Sequence, residues 1–192
     1  MTIIRHAIFP NDTASVLTIW REFVANSPVN LDYQRNDAEF ADLPGKYAAP
    51  GGCILLAEHA GSIEGCVALR EVGAGICEMK RLYVRPEARG RQVGRKLIEQ
   101  LIAEARGIGY RDMRLDVQEK SVSARKVYET FNFIPAEPIS LIQSLARLFS
   151  AFSCSQIAKC AQRCSLEATR SLAALPPSER SPLMLPASGS SR

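Results

Sequence analysis

Residues 82–106 read LYVRPEARGRQVGRKLIEQLIAEAR, and three kinds of local structure follow one another within them. Leu82, Tyr83 and Val84 are strand formers, and Pro86, which has no N–H to give a ladder, ends the run. From Gly94 onward Leu97, Ile98, Leu101, Ile102 and Ala105 recur at helical spacing and make one continuous apolar stripe. Between strand and helix lies Arg89-Gly90-Arg91-Gln92-Val93-Gly94. A helix N-terminus reached through small residues presents unpaired backbone N–H groups and a positive dipole end, which suits a phosphate, and neighbouring arginines add charge. An ordinary strand-to-helix turn with a solvated basic face has the same spacing, so the stretch alone leaves both readings open.

Upstream, the β-branched run from Thr2 to Phe9 predicts a first strand. Asn11-Asp12-Thr13 can cap a helix whose apolar face is Val16, Ile19, Trp20, Phe23 and Val24, ended by Ser27-Pro28. A short helix is expected around Asp37 to Leu43. Cys53 to Ala57 and Ile63 to Glu71, separated by His59-Ala60-Gly61-Ser62, read as an antiparallel hairpin, and Ile76 to Val84 as the next strand. Downstream, the long helix stops near Gly107 and Gly109, and Met113 to Val117 alternates as a strand. Ser121 to Phe131 is a second helix with Ala124, Val127, Tyr128 and Phe131 on one side, and Phe133-Ile134-Pro135 begins a further extended piece.

VRPEARGRQVG before an apolar-striped helix resembles the acetyl-CoA motif of the GNAT family of N-acetyltransferases, Q/R-x-x-G-x-G/A. Arg89 takes its first position, Gln92 its first glycine and Gly94 its second. Gln92 departs from the pattern, and is expected to be harmless provided its φ stays negative. A dinucleotide G-x-G-x-x-G and a Walker A ending are both missing. A second stretch, Ser121-x-x-Ala124-x-x-Val127-Tyr128-x-x-x-Asn132-Phe133, is similar to the family's N-x-x-A-x-x-L-Y-x-x-x-G-F. Asn132 replaces a glycine, and asparagine is the best substitute where φ is positive after a helix. Ser121 replaces an asparagine. The two motifs stand in order, and the predicted sequence β-α-(α)-β-β-β-α-β-α-β is that of the family's fold: an α/β mixed, mostly antiparallel sheet with helices on both faces, over residues 1–138.

Beyond Pro138 the resemblance stops. Ile139 to Phe152 reads as a helix, with Leu141, Leu145, Leu148, Phe149 and Phe152 on one face. The reading therefore gives an atypical helical segment over 139–175 and a disordered tail over 176–192, and no seventh strand. A helical appendage covering a sheet edge, a membrane-surface helix and an out-of-frame read near codon 139 all compete for this segment. The last is suggested by serine, arginine, cysteine and leucine enrichment. Arg147 is the only charge in 140–152, which argues against the membrane.

The chain is long enough for one domain with a sizeable core, and its 46% hydrophobic and 23% charged residues are ordinary for a soluble protein. No run is long enough to span a membrane, and MTIIRHAIF is too short and mixed for a signal peptide. The net charge of +4 comes from the segment after Pro138, so it does not argue for a nucleic-acid partner. None of the six cysteines forms a C-x-x-C pair, and Cys154-x5-Cys160-x3-Cys164 lacks partners at zinc spacing. A reducing cytoplasm, no structural disulfide and no metal are expected.

The resemblance implies acetyl-CoA as co-substrate. The backbone of Leu82, Tyr83 and Val84 would pair with the pantetheine arm, and Arg89, Gly90, Arg91, Gln92, Val93, Gly94 and Arg95 would hold the pyrophosphate, with Ser121 a further contact. Acetyl transfer to an amine then needs a base, since an alkylammonium has a pKa near ~10, and an acid for the departing thiolate. Glu78 falls where several members carry a catalytic glutamate, although an ion pair with Lys80, Arg81 or Arg114 would explain it equally. Tyr128 falls on the family's tyrosine and is the expected acid; a core aromatic is the alternative. Residues 28–50, containing Asp32, Tyr33, Asp37, Glu39, Phe40, Asp42 and Tyr47, are expected to select the acceptor, and their acidity favours a cationic amine. The expected partner is a small-molecule or peptide amine, with room for a homodimer and with no nucleic acid and no membrane. A non-catalytic acyl-CoA-binding or regulatory module, or a product impaired by a C-terminal frameshift, is the alternative.

Overall fold

The computed structural model describes residues 1–27, 36–118, 122–136 and 149–155. Seven strands, β1 (Ile3–His6), β2 (Cys53–His59), β3 (Ser62–Gly73), β4 (Ile76–Val84), β5 (Asp112–Gln118), β6 (Ile134–Ala136) and β7 (Phe149–Ser155), form one sheet in the order β1-β2-β3-β4-β5-β7-β6. Among the described residues four helices accompany them: α1 (Thr13–Ala25), α2 (Asn36–Ala41), α3 (Val93–Ile108) and α4 (Val122–Thr130), with a 3-10 turn at Gly45–Tyr47. Every strand pair is antiparallel except β4 with β5, which are joined through α3 and run parallel, as a helical crossover demands.

The stripe read from the sequence is the buried face of α3. Val93, Leu97, Ile98, Leu101, Ile102 and Ala105 are all buried, against Leu55, Leu69, Met79 and Leu115 of the sheet. Burial of one such leucine or isoleucine contributes about 2 kcal/mol, so this helix is held by packing. The close approach depends on Gly65, where a Cβ would lie 2.8 Å from the Tyr83 carbonyl oxygen and 3.2 Å from Leu97 Cδ1. On the opposite face α1 buries Val16, Ile19 and Trp20 against Leu56, Cys66 and Ala68. Asp12 stands at the N-cap of α1 but makes no side-chain bond to that helix. Its carboxylate instead accepts from the Ile8 N–H at 2.7 Å and from Arg5 at 2.7 and 3.0 Å.

The C-terminal segment corrects the sequence reading. Phe149–Ser155 is a strand, β7, and it lies between β5 and β6, pairing Leu115 with Phe152 and Pro135 with Phe152 across its two edges. The spacing of Phe149 and Phe152 that suggests a helix is a coincidence of a short window; as strand residues, Phe152 and Cys154 both enter the core beside Met113 and Phe131. The sheet therefore has the seventh strand whose absence suggested an out-of-frame read. Helical structure predicted over 139–148 and 156–175, and the tail over 176–192, lie outside the described residues. The expectation of no disulfide fails at Cys154, which is disulfide-bonded. Cys53, Cys66 and Cys77 are free, buried thiols, pushed up to about 12 by burial.

Candidate active site

β4 and β5 hydrogen-bond only as far as Met79 and Leu115. Beyond that pair β4 continues to Val84 beside β3, while β5 continues beside β7, so the two strands part. A β-bulge at Arg81 helps them to separate. Cys66 pairs with Tyr83 and Ala68 with Lys80, leaving one extra residue on β4, and Arg81 takes φ 56°. The opening is a cavity of about 920 Å³. Leu82, Tyr83 and Val84 line one side, Leu115, Asp116 and Val117 the other, and the loop from Arg89 to Arg95 with Ala124, Val127 and Tyr128 of α4 closes it. No described strand pairs with the cavity-side edge of Lys80 to Val84, which leaves that backbone available to an extended ligand.

At the mouth of the cavity the loop turns into α3. Gln92 is the N-cap residue, with φ 60° and ψ 17°, and no side chain caps the helix. The first intrahelical bond runs from the Lys96 N–H to the Gln92 carbonyl at 3.0 Å, so the amides of Val93 and Gly94 have no acceptor within the helix. The condition under which a non-glycine is harmless at Gln92, a negative φ, is not met. The position lies in the left-handed region that glycine favours, and a non-glycine there costs about 1–2 kcal/mol. Gly90, with φ 79°, has nothing within 4 Å of an added Cβ, and at Gly94 only Val84 Cγ2 comes near, at 3.6 Å. The cradle is therefore open to a bulky anion. The arginines share it unequally. Arg91 is drawn to Glu64 at 2.5 Å, Arg95 to Glu99 at 2.9 Å with its guanidinium 5.6 Å above the Phe131 ring, and Arg89 donates to the Val84 carbonyl at 3.2 Å.

Tyr128 comes from α4 and reaches the cavity from the opposite wall. It is 6% exposed, its ring meets Phe133 edge-on at 5.8 Å, and burial pushes its phenol up. Asn132 holds φ 60° in the turn after α4, as its resemblance to a glycine position predicts. Ser121 lies outside the described residues.

The face of the sheet turned toward α1 and α2 carries an alternating row of charge. Arg70, Glu78 and Arg114 stand opposite one another on β3, β4 and β5. Glu78 is fully buried, and its Oε2 accepts from Arg70 Nε at 2.6 Å and Nη2 at 2.5 Å. Lys80 Nζ lies 3.6 Å from Glu78 Oε1 and 3.9 Å from Asp116 Oδ2. Glu78 does not line the cavity, whereas Lys80 and Asp116 do.

Of the acidic and aromatic residues expected to select an acceptor, Glu39, Phe40 and Tyr47 are committed elsewhere, while Asp37 and Asp42 are exposed. Arg81 is 4% exposed. Its Nη2 donates to Asn36 Oδ1 at 2.7 Å and to Glu39, and its guanidinium sits 5.4–5.6 Å from the rings of Trp20, Phe23 and Phe40. Glu39 also accepts from the buried Tyr47 hydroxyl and pairs with Lys46 at 3.3 Å. Burial alone would raise the Glu39 carboxyl; the charge of Arg81, with the Tyr47 and Arg81 hydrogen bonds, overcomes this and lowers it. Asp32 and Tyr33 lie outside the described residues.

Residues 17–133 match the model of the acetyltransferase (GNAT) family. The chain belongs to that family. A relative among the curated proteins is an uncharacterised N-acetyltransferase of Schizosaccharomyces pombe, 38% identical over 132 residues, which are 67% of this chain and 80% of that protein. Among solved structures, the acetyltransferase yncA of Salmonella typhimurium with acetyl-CoA is 20% identical with a TM-score of 0.58, over 80% of this chain and 93% of that one. The PaiA N-acetyltransferase of Thermoplasma acidophilum with coenzyme A is 16% identical with a TM-score of 0.64, over 81% and 99%. At these identities the likeness is one of fold. For this GNAT acetyltransferase the sequence-predicted residues 82–84, Arg89, Gly90, 92–95 and Tyr128 meet around one cavity, whereas Arg91 is not in its lining and pairs with Glu64. Glu78 stands behind it. Lys80 and Asp116 were not singled out as site residues; the signal for both was register, because each is the first residue past the last β4–β5 pair.

Proposed function

We propose that this chain is an N-acetyltransferase that moves the acetyl group of acetyl-CoA to a primary amine of a small molecule or peptide by direct attack. The observation that carries the reading is the cavity between the parted strands, with an uncapped helix N-terminus at one end and Tyr128 in its wall. The amides of Val93 and Gly94, the open space over Gly90 and Gly94, and the Arg89 guanidinium fit a pyrophosphate. The free edge of Leu82 to Val84 fits the pantetheine arm as an added strand. Burial raises the Tyr128 phenol, which keeps it protonated and able to give its proton to the departing thiolate. An acceptor entering from the α1–α2 side meets a cavity edge of mixed charge, Lys80 beside Asp116. Among the described residues no helix is long and apolar enough to cross a membrane, and no group of side chains could hold a metal ion.

The test is release of free coenzyme A thiol from acetyl-CoA with a panel of polyamines, amino acids, amino-acid amides, aminoglycosides and short peptides. Amine-dependent release, with mass-spectrometric detection of an N-acetyl product, is the expected result. Tight acetyl-CoA binding by calorimetry without release for any amine would support the non-catalytic acyl-CoA-binding module instead.

A further inference from the structure

Two carboxylates lie near the point where β4 and β5 part, and the register separates them. Glu78 faces Arg114 one step before the last pair, inside the closed part of the ladder. Both of its short contacts come from Arg70 and fall on one oxygen. Asp116 is the first residue of β5 beyond the pair and lines the cavity together with Leu82 and Tyr128. Its side chain, 9% exposed, points to the face from which an acceptor can enter, with Lys80 across the gap at 3.9 Å.

From this geometry we propose that Asp116, and not Glu78, is the base that takes the proton from the acceptor's ammonium group; the proposal rests on the acetyltransferase reading above. Asp116 removes one proton from the ammonium. The freed nitrogen lone pair forms the C–N bond at the thioester carbonyl carbon, and the C–S bond breaks. The thiolate takes the Tyr128 proton, the second nitrogen proton returns to the Tyr128 oxygen, and the proton on Asp116 leaves to solvent. Glu78 acts at one remove: with Arg70 it holds Lys80, which in turn faces Asp116.

The electrostatics agree with the role. Among the described residues the charged groups that face Asp116 are Lys80 and Glu78 from β4 and Arg70 from β3. Burial pushes the carboxyl from 3.8 up to about 6, Lys80 and Arg70 draw it down, and Glu78 raises it. A base poised there is ionised at neutral pH, yet binds a proton more strongly than an ordinary aspartate.

The experiment uses the full chain, acetyl-CoA and whichever amine of the panel gives the highest turnover. Asp116→Asn is expected to lower kcat about 10²–10³-fold with acetyl-CoA affinity unchanged, and to abolish an acid limb near pH 6 in kcat/KM. Glu78→Gln should keep that limb. Formate should restore part of the activity of Asp116→Ala, which separates a lost base from a lost fold. Should Asp116→Asn retain turnover and the acid limb while Glu78→Gln loses both, the assignment is wrong and the transferase reading stands. Should no amine release coenzyme A thiol from wild type, the transferase reading fails and takes the base with it.

Discussion

On the proposed acetyltransferase reading, the two faces of β4 would recognise their ligands by different means. On the α3 face Met79, Leu82 and Val84 are apolar and packed on the core, and the groups offered to a ligand are main-chain ones: the free edge of β4 and the first amides of α3. On the α1–α2 face Glu78, Lys80 and Arg81 are charged, and each is held by a side chain from another element: Arg70 of β3, Asp116 of β5, and Asn36 and Glu39 of α2. Main-chain recognition is indifferent to most substitutions, so it suits a co-substrate shared across a family. Side-chain recognition assembled from several elements can change without changing the fold, and suits an acceptor that differs between members.

The sharpest way to break this contrast is at Arg81. Its guanidinium is enclosed by three aromatic rings and joined to Asn36 and Glu39. Arg81→Ala leaves the Glu39 carboxylate, 6% exposed, with Lys46 as its remaining cationic partner among the described residues. The expected loss is about 3–5 kcal/mol, read as a fall in the urea midpoint. Glu39→Gln in the same chain should recover part of it. If the two single changes simply add, α2 is not coupled to the bulge, and the acceptor face is less integrated than the geometry indicates.

Tyr128→Phe comes next, and tests the cavity wall instead of the scaffold. The ring keeps its contact with Phe133 and loses only the hydroxyl. Turnover should fall about 10²-fold, with acetyl-CoA affinity by calorimetry and the melting temperature nearly unchanged. An equal loss of affinity and turnover would make the phenol a packing or binding group.

How far the sequence could be read follows the same division. The loop, α3 and the second motif are local patterns, and each of them lies where spacing alone puts it. Gln92 shows the limit even there: the residue name does not reveal φ, and the structure puts a glutamine into the left-handed region that the family fills with glycine. β7 was illegible because its residues, FSAFSCS, have little β-branching and mimic a helical face over a few positions; only pairing with β5 and β6 identifies it. The acidic composition of residues 28–50 points to a cationic acceptor, but Glu39 is consumed by Lys46 and Tyr47 and, from far along the chain, by Arg81. Asp116 carried no motif at all. Its place at the fork of two strands is a property of register.

The smallest effect separates a residue kept for chemistry from one kept for stability. In the native state the Asp116 carboxyl is raised from 3.8 to about 6, so between those values the folded chain holds more protons there than the unfolded chain. Stability then falls as pH rises through that window and stays lower above it. Asparagine at this position has nothing to ionise. Asp116→Asn should therefore match wild type most closely near pH 4 and exceed it above pH 6, by on the order of 1–2 kcal/mol once the partly open edge of the site is allowed for. For a chain of this size that is a melting temperature higher by roughly 2–8 °C at pH 8. Lys80 remains 3.6 Å from Glu78 in the variant, so it is not left without an anion. Melting curves across pH 4–8 decide it. A gap that does not widen with pH would mean that the Asp116 charge costs the fold nothing. A gap that widens while turnover is lost would mean that the acceptor face keeps a buried carboxylate at the expense of stability, something the apolar face of the same strand is never asked to do.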